Sequence, residues 1–417
     1  MTPAPPPSLD AALHPVLAAF AGAWARDAAR VMAREEEDEG PRRIVYVDAF
    51  AGAEYVFGVG DPGRQGPSRA VAAVRAVLEA APEHARAVLV EEDPALLARL
   101  RAELEAAGWG GRIQDDPSGL APGEVALVEA DFRNVADVLL AFPEPTRALL
   151  WMAPPSARRL PWPLLEAVLG DAGTDLLLRF PHTDYEKQGK FSGPLADLPP
   201  FAKRIVEGCS ALLGDARHEW VFAWRAAERE GGAALEGVVE RFRARLERAA
   251  EGRVLKGARV APAEDAAAAH LFLVASEPAA ALALNAAVQG AGLADRAAAV
   301  LLPPSAEPPA PPPALDLFGA ADAAPEPARR PDPAAAALLL AERHRGQSIS
   351  FRDVLAGLTD SDLTADEVRG ALGVLRKEGR AVYRSLAHPD AVVIFPEEPV
   401  VRAPRRRRQS EEPDLFE

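Results

Sequence analysis

The chain has 417 residues, enough for one large hydrophobic core and a smaller second one. Its formal net charge of -15 at pH 7 excludes a uniformly basic nucleic-acid-binding protein, so any nucleic-acid contact must be local. The single cysteine, Cys209, excludes a disulfide framework and any multi-cysteine metal site within the chain.

The first segment, residues 1–41, is predicted to be an amphipathic helix followed by an acidic lead-in. Apolar residues such as Leu17, Phe20 and Trp24 recur at helical spacing between His14 and Arg34, and "REEEDEG" follows. The N-terminal residues lack the basic segment and apolar core of a secretion signal, and no later apolar run is long enough to span a bilayer. We therefore expect a cytoplasmic protein without membrane contact.

In residues 42–302, short apolar runs alternate with helical segments. The runs read "RIVYVDAF", "ARAVLVEEDP", "EVALVEADF", "TRALLWMAP" and "TDLLLRFP". The stretch from Phe201 to Glu251 is helical in pattern, and "AAHLFLVASEP" adds one more strand. Parallel strands need helical crossovers, so this order predicts an α/β domain with a doubly wound, mostly parallel sheet.

The composition changes after residue 302. Residues 303–333 are dominated by Pro, Ala and acidic residues, which is typical of a linker because such a segment buries too little apolar surface to fold. Residues 334–396 show a helix, a short strand, two helices and two strands, an order that predicts a winged-helix domain. Residues 397–417 are predicted to be a disordered tail with basic and acidic runs.

The turn after the first predicted strand is a candidate ligand site. In an open parallel sheet, this turn lies against the ligand at the carboxyl ends of the strands. Asp48, Phe50 and Gly52 form an Asp-x-Phe-x-Gly pattern here, in which Gly52 allows close approach and Asp48 supplies a carboxylate. The Gly-x-Gly-x-x-Gly pattern of dinucleotide sites is absent, so the turn better suits a ligand such as S-adenosylmethionine. An ordinary tight turn is the alternative.

Acidic residues also end the next two predicted strands. Glu91 ends "AVLVE" and is a candidate to accept hydrogen bonds from both ribose hydroxyls of the ligand. Asp131 follows "VALVEA" and is a candidate to accept the adenine amino group. Each acid alone is equally typical of a solvated strand end, but acids at the ends of three successive strands favour a ligand site.

The order of motifs resembles the three-Cys-motif partner (TcmP) family. The resemblance rests on "YVDAFAG", the following "GPS", "VEEDP", "EADF", "PWPLLEAVL", "HLFLVASEP" and the C-terminal winged helix, and it covers nearly the whole chain apart from linker and tail. It implies a Rossmann-like fold similar to class I S-adenosylmethionine-dependent methyltransferases. It also implies S-adenosylmethionine as the cofactor and a protein with a three-cysteine motif as a partner.

Two departures from that family bear on chemistry. Relatives usually follow the first turn with Pro-Gly, where this chain has Ala53 and Glu54. The family usually has Asp-Pro after the fourth strand, and amino-methylating enzymes have Asp/Asn-Pro-Pro-Tyr/Phe, whereas this chain reads Ala153-Pro-Pro-Ser156. Ala153 cannot position an attacking amine and Ser156 cannot stack on a flipped base, so we expect little transfer to base amines.

The segment "RFPHTDYEKQGKF", read as a loop, supplies other candidate catalytic groups. His182, Asp184 and Tyr185 follow the fifth strand and are expected to reach the same edge of the sheet. His182 is a candidate base near neutral pH because an imidazole ordinarily titrates there. A polar surface loop is the alternative.

Basic residues of the C-terminal region are candidates for nucleic-acid binding. Arg369, Arg376 and Lys377 lie on the third helix of the predicted winged helix, the element that commonly enters the major groove of DNA. Acidic residues share that helix, so binding of DNA, binding of RNA and docking of a protein all stay open. Arg405 and Arg406 begin an arginine run in the tail, which is either a phosphate contact or a solvated charged end.

Two Leu-Phe pairs lie in otherwise polar segments, at Leu315 to Phe318 and at Pro413 to Phe416. They have the form of short docking peptides, and the C-terminal one resembles peptides that bind sliding clamps, although the usual glutamine is absent. The sequence thus leaves two functions open. One is a methyltransferase acting on a nucleic acid or a partner protein, and the other is an inactive methyltransferase-like protein that recruits nucleic acid or a protein.

Overall fold

A computed structural model of the chain describes residues 9–33, 43–53, 68–134, 136, 146–189, 195–261, 268–293 and 333–400. These residues fall into two compact units. The first unit holds the described residues up to 293 together with 355–365, and the second holds 333–354 and 366–400. The predicted acidic lead-in, nearly all of the predicted linker and most of the predicted tail lie outside the described residues.

The first unit is built on one large sheet. Its strands are β1 (Arg43–Asp48), β2 (Ala85–Glu91), β3 (Ile113–Gln114), β4 (Val125–Glu129), β5 (Thr146–Met152), β6 (Thr174–Arg179), β7 (Val254–Val260) and β8 (Ala269–Ala275). Their order across the sheet is β3-β4-β2-β1-β5-β6-β8-β7. Strands β1 to β6 pair in parallel, and β8 runs antiparallel to both β6 and β7. The predicted α/β class with a mostly parallel sheet is confirmed.

The order of the described strands contains a change of direction that is relevant to ligand binding. Strand β1 pairs with β2 on one side and with β5 on the other, so the chain changes direction across the sheet between β1 and β5. Ligands of open α/β sheets bind outside the carboxyl ends of the strands at such a point. We call this place the switch point.

Helices cover the sheet, as the apolar runs of its central strands require. Strand β2 is buried along its whole length, which is typical of a parallel strand covered on both faces. The helices of the first unit are α1 (Leu9–Met32), α2 (Arg69–Ala80), α3 (Pro94–Ala106), α4 (Trp162–Gly170), α5 (His182–Gly189), α6 (Pro200–Leu213), α7 (Glu219–Arg229), α8 (Ala234–Ala249) and α9 (Pro278–Gly290). None of the described helices has the length and apolar character needed to cross a membrane.

The predicted N-terminal helix belongs to the core of this unit. Helix α1 packs against α2 and α9 and buries Phe20 and Trp24. The Trp24 indole N–H donates to Asp175 Oδ2 over 2.8 Å. A methyl group on Gly22 would lie 3.2 Å from the Ala76 carbonyl oxygen, so a glycine lets α1 and α2 approach closely.

At the starts of α2 and α3, a capping side chain accepts a hydrogen bond from a backbone amide of the first turn. The Ser68 hydroxyl accepts a hydrogen bond from the Val71 amide at the start of α2. Asp93 Oδ1 accepts from the Ala95 amide at the start of α3, whose first residue is Pro94. These caps fix the first turns of α2 and α3.

One expectation about local structure is wrong. The segment after β6 was expected to be a loop, but residues His182–Gly189 form α5. The Tyr185 ring stacks on Phe180 with 5.0 Å between the ring centroids, and it contacts Trp220 edge to face. Burial of this aromatic side chain favours a helix over a solvated loop, in spite of the polar residues around it.

The second unit has its own small core. The elements that lie wholly or mostly in it are α10 (Pro333–Arg343), β9 (Ser348–Ser350), α11 (Phe351–Ala356), α12 (Ala365–Lys377) and β10 (Val392–Ile394). Strands β9 and β10 pair in antiparallel fashion, and Val382 forms a further antiparallel bridge with Ile394. Val368, Leu372 and Leu375 are buried along one face of α12.

Candidate functional site at the carboxyl edge of the sheet

The turn after β1 is anchored to both neighbouring strands. The Ala49 amide donates to the Trp151 carbonyl over 3.0 Å, and the Ala51 amide donates to the Val90 carbonyl over 3.0 Å. Asp48 is fully buried, and its Oδ1 accepts a hydrogen bond of 3.1 Å from the Phe50 amide. Asp48 therefore shapes the turn at the switch point by fixing the backbone two residues beyond it.

Glu91 and Gly52 form the second support of this turn. Glu91 Oε2 accepts from the Gly52 amide over 2.8 Å, and Oε1 accepts from the Asp93 amide over 2.9 Å. A Cβ atom on Gly52 would clash with the Glu91 carboxylate and lie 2.9 Å from Leu96 Cβ. Burial raises the pKa of the Glu91 carboxyl, and the backbone hydrogen bonds oppose that shift. Gly52 is thus required by the buried acid beneath the turn.

The aromatic residue of the turn faces the core. Phe50 is buried and lies 6.2 Å from Phe132, measured between ring centroids, at a tilted angle. Phe132 directly follows Asp131 and is also buried. The predicted binding residue Phe50 therefore links the first turn to the end of β4 and has only a small exposed surface to offer a ligand.

Asp131, predicted to accept an adenine amine, is held by two arginines. Arg133 donates to it from Nε over 3.1 Å to each oxygen and from Nη2 over 2.5 Å to Oδ2. Arg159 Nη1 donates to Oδ2 over 2.8 Å. The hydrogen bond from the Arg133 side chain is the main cause of a lowered pKa at Asp131, which keeps this carboxyl ionised.

Arg159 also binds Glu92, and the sequence interpretation had missed it. Its Nη1 donates to Glu92 Oε2 over 2.6 Å, and its Nη2 donates to Glu92 Oε1. Glu92 follows β2 and Asp131 follows β4, whereas Arg159 lies beyond β5, with β1 between β5 and β2. The loop after β5 and the Arg159 side chain together span the switch point. Only the Arg-Arg pair in "SARRL" after the strand hinted at this contact.

The short segment that carries Arg159 is fixed from two directions. Residues Ala157–Arg159 form one turn of 3₁₀ helix, and the Ala157 amide donates to Asp184 Oδ2 over 2.8 Å. A Cβ atom on Gly208 of α6 would lie 2.7 Å from Arg158 Cβ, so α6 packs closely on this turn. Asp184, a predicted catalytic candidate, thus supports the backbone that presents Arg159.

The loop after β5 contains the residues that depart from the family pattern. Ala153 is 3% exposed and offers no side-chain acceptor, and Ser156 is half-buried just before the 3₁₀ turn. Ala53 is buried in the first turn, and Glu54 lies outside the described residues.

Tyr185 and His182, the remaining catalytic candidates, differ in position. The Tyr185 hydroxyl donates to the Cys209 carbonyl over 2.9 Å, and burial raises its pKa well above the ordinary value. Tyr185 is fully buried, so it is a core residue and not a group at the mouth of a site. His182 is buried beside His270 and interacts electrostatically with it. His270 Nε2 lies 3.4 Å from Glu236 Oε2, and burial lowers the pKa of His270.

No family model and no curated protein matches this chain. Among the described residues, no group of three or more His, Cys, Asp and Glu side chains is placed to hold a metal ion.

The predicted nucleic-acid-binding residues of the second unit have different surroundings. Arg369 Nη1 binds Asp366 Oδ1 over 2.8 Å and lies over the Phe351 ring at 5.7 Å. Arg376 stacks over the half-buried Tyr383 ring at 4.8 Å, and Lys377 ends α12. Both arginines thus contact a ring of the unit, but Arg369 is also paired with Asp366, so Arg376 and Lys377 supply the positive charge in the last turn of α12. Arg405, Arg406 and both Leu-Phe pairs lie outside the described residues.

Proposed function

We propose that this protein is a methyltransferase-like protein of the TcmP type that binds an S-adenosylmethionine-type ligand and recruits nucleic acid or a partner protein. In this proposal it does not methylate exocyclic base amines. The observation that carries the proposal is a buried, well-supported ligand turn at the switch point beside an acceptor loop that has Ala153 in place of a carboxylate.

The sheet supports the choice of ligand class. The switch point lies between β1 and β5, and the turn Asp48–Gly52 lies directly at it. The large, mostly parallel sheet is compatible with the Rossmann-like fold that the resemblance to class I methyltransferases implies. An acidic edge with a glycine turn suits the hydroxyl and amino donors of a nucleoside.

The ligand contacts are divided among the acids at the strand ends. Asp48 and Glu91 keep the shape of the turn, because Asp48 Oδ1 and both oxygens of Glu91 already accept backbone amides. The side chain of Glu92 is 42% exposed, so we assign the ribose hydroxyls to Glu92 and not to Glu91. Asp131 keeps its predicted role at the adenine amine, since its carboxylate lies at the same edge.

The lack of amine chemistry follows from the loop after β5. An attacking exocyclic amine needs an acceptor that draws its N–H bonds into line with the methyl group. Ala153 offers none, and Asp184, the acid held against this loop, already accepts the Ala157 amide. Loss of such a positioning group costs about 2.7–4 kcal/mol in the barrier, which is about a hundredfold to a thousandfold in rate.

Recruitment is assigned to the C-terminal unit and the tail. The elements α10 to β10 support a winged-helix interpretation, with α12 as the helix that approaches a nucleic acid. Arg376 and Lys377 supply the positive charge of that helix. A three-Cys-motif protein and a clamp-like partner that binds the Leu-Phe pairs are the proposed protein partners.

Methyl transfer to another acceptor is a second candidate function, and one observation favours it. His182 is buried at the carboxyl edge beside His270, which contacts Glu236. This group is a candidate proton acceptor for an oxygen or sulfur nucleophile of a partner. Transfer that disappears in His182→Ala, without loss of ligand affinity, would favour this candidate.

The proposed function is tested by separating binding from chemistry. Calorimetric titration of the full chain with S-adenosylmethionine is expected to give micromolar binding, and Asp131→Ala is expected to weaken it. A transfer assay with radiolabelled cofactor and mixed DNA and RNA is expected to stay blank. No heat in the titration overturns the ligand assignment. Methylated adenine or cytosine at multiple turnovers per protein overturns the interpretation of Ala153.

A further inference from the structure

The contact of Arg159 with Glu92 and Asp131 lies where the proposed ligand must bind. Arg159 is held on a rigid 3₁₀ turn by Asp184 and by α6. Its side chain is only 22% exposed and meets acids from the ends of two strands on the far side of β1. Arg159 is therefore a half-buried structural residue of the switch point and not a solvated surface arginine.

A nucleoside that binds Glu92 and Asp131 competes with Arg159 for the same oxygens. Arg159 Nη1 donates to both acids, and these are the acceptors assigned above to the ribose and the adenine. Arg133 continues to neutralise Asp131 when a ligand enters, because it contacts that carboxylate through its own Nε and Nη2. Among the residues that the structure describes, Arg159 contacts no acid besides Glu92 and Asp131. A ligand that takes both acids therefore leaves a half-buried guanidinium without an anionic partner.

We propose that Arg159 determines ligand specificity: it restricts the switch point to nucleosides that carry their own anionic group. A ligand carboxylate or phosphate replaces Glu92 and Asp131 as the partner of the guanidinium, through the paired hydrogen bonds that arginine forms with such groups. A neutral nucleoside leaves the guanidinium unpaired, and this costs affinity. The inference rests on the proposed function, because it assumes that the nucleoside binds at this edge.

The test compares two ligands that share an adenosine and a thioether. S-adenosylhomocysteine carries a carboxylate, whereas methylthioadenosine is a neutral nucleoside without the amino-acid group. Calorimetric titration of the wild type is expected to show at least about a tenfold preference for S-adenosylhomocysteine. In Arg159→Gln the preference is expected to fall to within about threefold, because methylthioadenosine no longer displaces a paired guanidinium and S-adenosylhomocysteine loses its partner.

Arg158→Gln is the matched control. Arg158 lies on the same 3₁₀ turn and is exposed, so this variant removes the same charge next to the cluster without touching Glu92 or Asp131. It is expected to keep the wild-type preference. Unfolding curves for the variants show whether each one folds before its affinities are compared.

The outcomes separate the inference from the proposed function. Binding of both ligands with an unchanged preference in Arg159→Gln overturns the role of Arg159 and leaves the proposed function intact. A preference that falls equally in Arg158→Gln also overturns it, because net charge alone then explains the effect. Absence of binding of both ligands, to the wild type and to Arg159→Gln, overturns the proposed function and this inference with it.

Discussion

Glu91 and Gly52 are matched: the buried carboxylate accepts the Gly52 amide at 2.8 Å and fills the space that a side chain at position 52 would need. In the sequence these two residues lie far apart, and each alone is equally typical of an ordinary structural feature: a tight turn for the glycine and a solvated strand end for the acid. Their contact ties the turn after β1 to the end of β2. Because of this contact, the structure of the switch point requires both the glycine and the acid.

Gly52→Ala tests this match. The added methyl group pushes the Glu91 carboxylate and Leu96 apart, so we expect the free energy of unfolding to fall by about 1–3 kcal/mol. Urea denaturation of the wild type and the variant measures this difference in the free energy of unfolding. The control is Gly237→Ala on the exposed face of α8, where a Cβ atom meets nothing within 4 Å. That change is expected to stabilise the helix by about 0.5–1 kcal/mol. Equal effects of the two substitutions would contradict the match.

Glu91 also gives the stability a pH dependence. Burial raises its pKa in the folded state, so the folded protein binds this proton more tightly than the unfolded chain. The contribution of Glu91 is fully present below the ordinary pKa of a glutamate and is lost as the pH rises through the raised value. We expect the wild type to lose stability over that window relative to Glu91→Gln, which does not titrate. Parallel stability profiles from urea denaturation across the acidic range would argue against a raised pKa.

Tyr185 is expected to matter for stability and not for a reaction. Tyr185→Phe removes the hydroxyl that donates to the Cys209 carbonyl, and we expect a loss of about 1–2 kcal/mol. The affinity for S-adenosylmethionine should not change. Tyr383→Phe is the control, because its half-buried ring lies in the second unit over Arg376. A large drop in affinity with unchanged stability in Tyr185→Phe would restore this residue as a site candidate.

The periodicity of the sequence was sufficient for the sheet but not for the site. A continuous apolar run such as β2 is typical of a strand in a sheet that is covered on both faces. The strands and their parallel arrangement were therefore predictable. The site depends on contacts between distant segments. Three consecutive acids at the end of β2 look alike in the sequence, yet Glu91 supports the turn, Glu92 binds Arg159 and Asp93 caps α3. Only the direction of each side chain separates these roles.

The segment after β6 shows the same limit. Its polar residues suggested a loop with free catalytic groups, but the ring of Tyr185 fits between Phe180 and Trp220 and brings the segment into a helix. Asp184 then points at the Ala157 amide. The contacts of Tyr185 and Asp184 could not be predicted from the sequence, because they depend on how α5 and α6 pack near the loop after β5.

If the second unit recruits nucleic acid as proposed, the basic end of α12 is expected to supply the phosphate contacts. Arg376 and Lys377 lie in its last turn, whereas Arg369 is paired with Asp366 and stacked on Phe351. Because each lost phosphate contact reduces the dependence of binding on salt, Arg376→Gln combined with Lys377→Gln should weaken binding and lower the slope of log affinity against log salt by about two. Arg369→Gln should change the slope little and should act mainly on stability. Fluorescence anisotropy with labelled DNA and RNA at several salt concentrations measures both quantities. An equal change of slope in the double variant and in Arg369→Gln would show that α12 does not approach the phosphates through its basic end.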